Sequence, residues 1–507
     1  MLRNLFLSTA FLVRSLLLPA LAVMAAMASH FVLADDSSLL VRTDTYTILE
    51  SNAKLEEFLQ KEHPTKLWIE GSAVSDETLE VLQHFVELEV LGLPGRRITD
   101  AGMQHLAALE NLRQLSLGDT SITDEGMKAL KNMRHLNNLN IFNAPITDVG
   151  LSSLSNLTEM ESLTLYGCGV TNEGLKQLEK LKRLKSLILS KTRVTDQGVE
   201  YLQQFSCLEG LMLDECAVTD AGLLHLKNLR ALKDLGLSGT DAGDASVEMA
   251  ATRFSLCRFS LGKNSTDASL PWLCKMTSLN DLEIIDSQVT DEGILRWMPQ
   301  LERMELHSLG LKVPGLSDMV LGSFNPRFLR ELRCSDLHGS REGMAVIGRM
   351  SQLELLSLGN MSYHDSDLCP LRNMHHLRYL SLHDETLTDA IVPLLESIPN
   401  LESISLHSVH VSKHNQKWLI MKAFVNEMRQ GGDSEENIRK FLATPMIMNG
   451  ELLDATGRDP NVSYGNLCGD VQQPCRVRKV FRASFPSSRH PRHWKSSRHS
   501  HGCFYAS

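Results

Sequence analysis

The sequence predicts an α/β solenoid, with a parallel sheet along one side, short helices along the other and one aliphatic core between them. Three observations predict it. The chain aligns on itself at a period of 24 residues. Each period holds an alternating apolar segment followed by a segment with apolar residues three apart. The composition is 43% hydrophobic but only 6% aromatic, so the core must be aliphatic. A length of 507 residues would otherwise suggest several domains, but a repeat array absorbs length into one body.

The strand comes first in each turn. Turns begin at Leu88, Leu112, Leu136, Met160, Leu184, Leu208 and Leu232. In the second of these, Leu115 and Leu117 alternate and so face one side of a short strand. The helix follows. Met127, Leu130 and Met133 carry the three-apart spacing that buries one stripe. Thr123-Asp124 at its start supplies a cap, and an acid there suits the helix dipole. Asp100, Asp148, Asp196 and Asp220 recur at this place, with Asn172 as an equivalent. A glycine stands two positions on, as at Gly102, Gly126, Gly150, Gly174, Gly198 and Gly222, and is expected to let neighbouring turns pack closely. Neither half can bury its face alone, so the turns must stack.

The pattern L-x-x-L-x-L followed by I/V-T-D-x-G-L resembles the leucine-rich-repeat family, in the subclass found in F-box substrate receptors and exported bacterial proteins. The resemblance covers residues 64–411. It implies a curved horseshoe, with the parallel sheet on the concave face and short helices on the convex face. It also implies binding to a partner rather than catalysis. Counting a first turn near Pro64 there are fifteen units, a solenoid on the order of 70 Å long at about 5 Å per strand. The register loosens after Leu232. A turn placed at Leu301 stretches to Phe328 without a Thr-Asp pair, and Leu329, Leu353, Leu377 and Leu401 restart the pattern.

The ends differ from the array. Residues 1–34 read as a secretory signal, with Arg3, an apolar run from Leu16 to Ala28 and a small-residue site at Val32-Leu33-Ala34. Retained, residues 5–28 would instead anchor the chain in a membrane. Residues 35–63 are expected to form a helical cap, with helical spacing from Thr47 to Glu62 and no convincing F-box. Residues 412–465 are expected to form a second helical cap, with helices over Trp418–Met428 and Glu435–Leu442. Residues 466–507 read as a basic, disordered tail. From Asp470 onward it carries eight Lys/Arg and one Asp, so the body is more acidic than the net charge of −10 suggests. An acidic body argues against nucleic acid as a partner.

Ten cysteines in an exported chain raise the question of disulfides. Cys168 and Cys216 share a repeat position two turns apart, about 10 Å, which is beyond bridging range. Cys274 and Cys334 read as buried hydrophobes, and Cys468 and Cys475 are the best local pair. No phosphate-binding loop, nucleophile elbow or H-E-x-x-H occurs, and Gly167-x-Gly169 lacks the third glycine of a dinucleotide fingerprint. No catalytic residue, metal site or cofactor is assigned.

Function should therefore sit on the outward strand positions, the third, fifth and seventh of each turn. Phe142 and Tyr166 are seventh residues of adjacent turns and are read as exposed interface anchors, with Asn138, Asn140, Asn143 and Thr164 around them. Asp281, Glu283, Asp286, Glu305 and Glu331 form an acidic stripe interleaved with Arg258, Arg303 and Arg333. The stripe reads either as a surface for a basic partner or as a self-paired ladder. His383 and His407 share a column with His307, and Asp384 stands alongside, a weaker hint of metal. The reading is a non-catalytic scaffold for a protein partner of unknown identity. The alternatives are an intracellular ubiquitin-ligase substrate-receptor-like adaptor or a metal-dependent enzyme.

Overall fold

The computed structural model describes residues 39–42, 46–49, 52–70, 74–383, 386–407, 409–412, 446–448 and 451–453. The export signal, the helices expected over Trp418–Met428 and Glu435–Leu442, the basic tail and the Cys468/Cys475 pair lie outside these residues.

Fifteen parallel strands among them run in chain order from β3 (Lys66–Glu70) to β17 (Ser403–His407), each paired with the next. Their inward residues and the inward stripe of each helix form one aliphatic core. It extends from Leu55 to Val411 and is mostly leucine. The sheet is open, as an α/β leucine-rich-repeat solenoid requires, and the helices line its other side.

The Thr-Asp pair explains how one turn grips the next. Thr99, Thr123, Thr147 and Thr171 sit in extended backbone just before their helices, and each side-chain oxygen accepts from the amide two residues on. The aspartate was expected to serve its own helix. Instead its carboxylate reaches forward one turn. Asp100 accepts from Thr123 N at 2.7 Å, Thr123 Oγ1 at 2.6 Å and Gly126 N at 3.0 Å. The same grip joins Asp76 to Thr99, Asp124 to Thr147, Asp148 to Thr171 and Asp196 to Thr219. Asn172 performs it with its amide, accepting from Thr195 N and donating to Thr195 Oγ1. The glycine is required by this carboxylate. A Cβ on Gly126 would stand 2.5 Å from Asp100 Oδ1, so close packing between turns has a specific cause.

The ladder continues where the sequence pattern fades. Asp244 holds Thr266, Asp267 holds Thr290, and Asp318, wholly buried, holds Ser340. Serine replaces threonine here without loss of the donor. Tyr363 Oη, two turns on, also donates to Asp318 at 2.7 Å. The ladder breaks at Arg341, which occupies the aspartate's place. One turn later His364 N turns to Asp367 of its own helix.

Three local expectations are corrected. Tyr46–Leu49 is a strand, β2, where helical spacing was expected from Thr47. It pairs with β1 (Leu39–Arg42), which pairs antiparallel with β3. Tyr46, Thr47 and Ile48 are residue types that favour the pleat, and the hairpin covers the first edge of the sheet. The helix begins only at Asn52. Inside the expected second helical cap, Met446–Met448 and Glu451–Leu453 pair as antiparallel strands. Finally, Leu301 does not begin a turn. It ends an eleven-residue helix, Asp291–Leu301, and the next strand is β13, Ser308–Lys312.

Candidate functional site

The outward residues of adjacent strands stand directly opposite one another. Gly118, Phe142 and Tyr166 are in register on β5 (Gln114–Gly118), β6 (Asn138–Phe142) and β7 (Ser162–Tyr166). The third and fifth positions form parallel columns beside this one. Three chemically distinct zones follow along the sheet.

The first zone is apolar. Tyr166 is only 1% exposed and clusters with Ile188 and Met212 from the next two turns, with Phe142 packed against them. This cluster is separate from the main core and lies on the outer side of the sheet. A Cβ on Gly118 would collide with the Phe142 ring, so the missing side chain leaves room for the ring to lie over the neighbouring strand. Trp68 and Gly92 repeat the arrangement at the start of the array. Lys191 Nζ lies 5.1 Å from the Tyr166 ring centre and 3.3 Å from Glu215 Oε1, a cation held over an aromatic face.

The second zone is charged. It spans β10 (Asp234–Gly236), β11 (Arg258–Ser260), β12 (Asp281–Ile285), β13 and β14 (Glu331–Ser335). Arg258 Nε donates to Asp281 Oδ2 at 2.9 Å, and Arg333 Nη2 to Glu331 Oε2 at 2.8 Å. Asp214, just past β9 (Gly210–Met212), accepts from Ser190 Oγ and Ser238 N at 2.9 Å and from Ser260 Oγ at 3.1 Å. Burial raises its pKa, and these three donors offset only part of the rise. Burial likewise raises Asp234, against the pull of Arg258. Glu283 is 8% exposed, and no hydrogen bond reaches its carboxylate among the described residues. Burial, then the charges of Asp281 and Asp214, push it up to about 8, against Arg333 and Arg258.

The third zone is serine and histidine. His383 and His407 stand in register with ring centres 6.1 Å apart, and Ser405 Oγ meets His407 Nε2 at 2.6 Å. His383 Nε2 is buried without a hydrogen-bond partner among the described residues. No group of three or more His, Cys, Asp or Glu among the described residues is arranged to hold a metal ion.

A family described as leucine-rich repeat region matches residues 71–326, half of the chain. The chain belongs to the leucine-rich repeat family. Its fold is that of a protein-interaction scaffold. An internalin from Listeria monocytogenes is similar in structure at 22% identity, covering 65% of this chain and 93% of that one, with a TM-score of 0.40. A leucine-rich-repeat protein from Leptospira interrogans is similar at 17% identity, covering 70% and 86%, with a TM-score of 0.31. No curated protein matches the sequence.

The leucine-rich repeats bring together some of the residues read from sequence and separate others. Phe142 and Tyr166 are neighbours in register, but Tyr166 is buried, so it is not an exposed anchor. The sequence signal for its burial was present in Ile188 and Met212, apolar residues at fifth positions of the following turns. Thr164 is also buried, while Asn138 and Asn140 are half-buried and Asn140 Oδ1 has no hydrogen-bond partner among the described residues. Asn143 lies past the strand with φ of 55° and donates to Asp119. Asp281 and Glu283 stand on β12 as expected. Glu305 is exposed but precedes β13, because the longer helix displaces the register by five residues. Arg303 and His307 leave their expected columns for the same reason. Asp384 lies outside the described residues. Asp214 was missed, although a seventh-position acid flanked by Ser190 and Ser238 was visible.

Cys168, Cys216, Cys274 and Cys334 are free thiols. Cys369 is disulfide-bonded.

Proposed function

We propose that this protein is an exported, non-catalytic scaffold that holds a protein partner against the outward face of its sheet. The observation that carries this reading is the registration of the third, fifth and seventh positions into continuous columns. A surface built on one continuous hydrogen-bonded sheet needs little reordering on binding. The apolar zone around Phe142 and the charged zone from Asp281 to Arg333 supply the anchor and the polar specificity that an interface combines. Asn138 and Asn140 add hydrogen-bonding groups between strands. Export rests on the sequence of residues 1–34. Among the described residues, no helix is long and apolar enough to cross a membrane.

The test is a footprint. A partner recovered from the native source should slow hydrogen exchange on β6, β7 and β12 to β14, and leave the helix-side surface around Val149 and Leu224 unchanged. Protection confined to the helix side would overturn the reading. N-terminal sequencing of the mature protein should begin near Asp35; a retained Met1 would overturn export with cleavage.

A further inference from the structure

We propose that Glu283 and its neighbours on β11 to β14 form an acceptor site for a cationic side chain carried by the protein partner. The inference rests on the reading that the strand face binds a protein, and it names the chemistry of one contact.

The first observation is the unpartnered carboxylate. A buried carboxylate ordinarily carries several hydrogen bonds, because leaving it without them costs the full desolvation of the group. Glu283 has none, although Asp281, on the same strand, is paired with Arg258 at 2.9 Å. The second observation is the charge balance. Three carboxylates, Glu283 itself with Asp281 and Asp214, interact with the two guanidinium groups of Arg258 and Arg333, and both guanidinium groups already have carboxylate partners. Lys233 and Lys312 are engaged by Glu209 and Asp286. One more positive charge would improve the balance, and a further negative charge would be repelled. The third observation is the setting of the carboxylate. The fifth-position column runs Ser260, Glu283, Gly310, Arg333, so the carboxylate stands between two positions with little or no side chain. A Cβ on Gly310 would lie 3.0 Å from Glu283 Cγ.

A guanidinium or ammonium approaching here meets two free carboxylate oxygens, and an arginine can engage both at once. Burial, and then the charges facing Glu283, set the protonation state. Asp281 on its own strand and Asp214 repel its ionised form, while Arg258 and Arg333 favour it. With its pKa near 8, Glu283 is mostly protonated at pH 7 in the free protein. A cation would draw out that proton, so binding should release it and strengthen as pH rises from 7 to 9.

The experiment is calorimetric titration of the full chain with capped Gly-Arg-Gly and with the citrulline peptide, its uncharged isostere. The arginine peptide should bind and the citrulline peptide should bind at least tenfold more weakly. In two buffers of different ionisation enthalpy, the wild type should release a proton on binding at pH 7. Glu283→Gln should lose at least tenfold in affinity and lose the proton release. Glu77→Gln, exposed on the first helix after β3, should change neither. Equal binding of both peptides, or an unchanged Glu283→Gln, would overturn the site. A strand-face footprint of the partner combined with that result would leave the scaffold reading intact, whereas a helix-side footprint would remove the scaffold reading itself.

Discussion

Asp100 shows how much one side chain contributes to the solenoid. Its carboxylate takes three donors from the next turn, and removing it orphans two amides and a hydroxyl that are partly buried. Asp100→Ala should cost about 1–3 kcal/mol. Asp100→Asn should cost much less, because Asn172 already performs the same grip with an amide. Urea denaturation of both variants checks the difference; equal losses would show that the ladder is incidental. Glu283 makes a different prediction. Its pKa is raised from 4.5 to about 8 on folding, so the folded state binds more protons than the unfolded chain between those values. The stability it contributes is present below pH 4.5 and is lost as pH rises through 8. Glu283→Gln removes this dependence. Its melting temperature relative to wild type should rise between pH 5 and pH 9, by about 2–4 °C for each kcal/mol recovered. A constant difference across that range would contradict the buried, poorly solvated carboxyl.

At the scale of elements, strand and helix identities followed from period alone, because alternation and three-apart spacing place different side chains inward. Boundaries did not. Leu301, Met304 and Leu306 read as L-x-x-L-x-L, yet Leu301 closes a long helix and the strand pattern is Leu306, Leu309 and Leu311. Both registers place leucines inward, so composition could not choose between them. The N-terminal hairpin was hidden in the same way, since Tyr46–Leu49 satisfies either period over so few residues. Its position against β3 gives it a testable role. Removing residues 39–49 should expose the hydrogen-bonding edge of β3 and promote self-association. Light scattering of the truncated protein at rising concentration measures this; a strictly monomeric product would show that the hairpin does not guard the edge.

Across the whole molecule, each turn touches its neighbours through the sheet, the aliphatic core and the aspartate ladder. Energy is therefore distributed along the array rather than gathered in one centre. This organisation leaves the outward columns free to differ in chemistry without disturbing the fold. The apolar zone near Tyr166, the charged zone near Glu283 and the histidine zone near His407 all sit on the same backbone repeat. These columns spread chemically different groups along one face, the arrangement that the proposed protein-binding role uses.

The sequence by itself determined the repeat, its period, the inward leucines and the outward columns, because each depends on spacing within a turn. It also showed Thr-Asp and the following glycine as a recurring unit. Only the tertiary structure decided that the aspartate serves the next turn and that the glycine clears space for it, since that grip joins residues 23 apart. The same holds for the candidate site. The sequence placed Phe142 and Tyr166 side by side, but Ile188 and Met212 from later turns bury Tyr166. It placed Glu283 in an acidic stripe, but which acids find partners depends on where Arg258 and Arg333 reach, one to the next strand and one along its own.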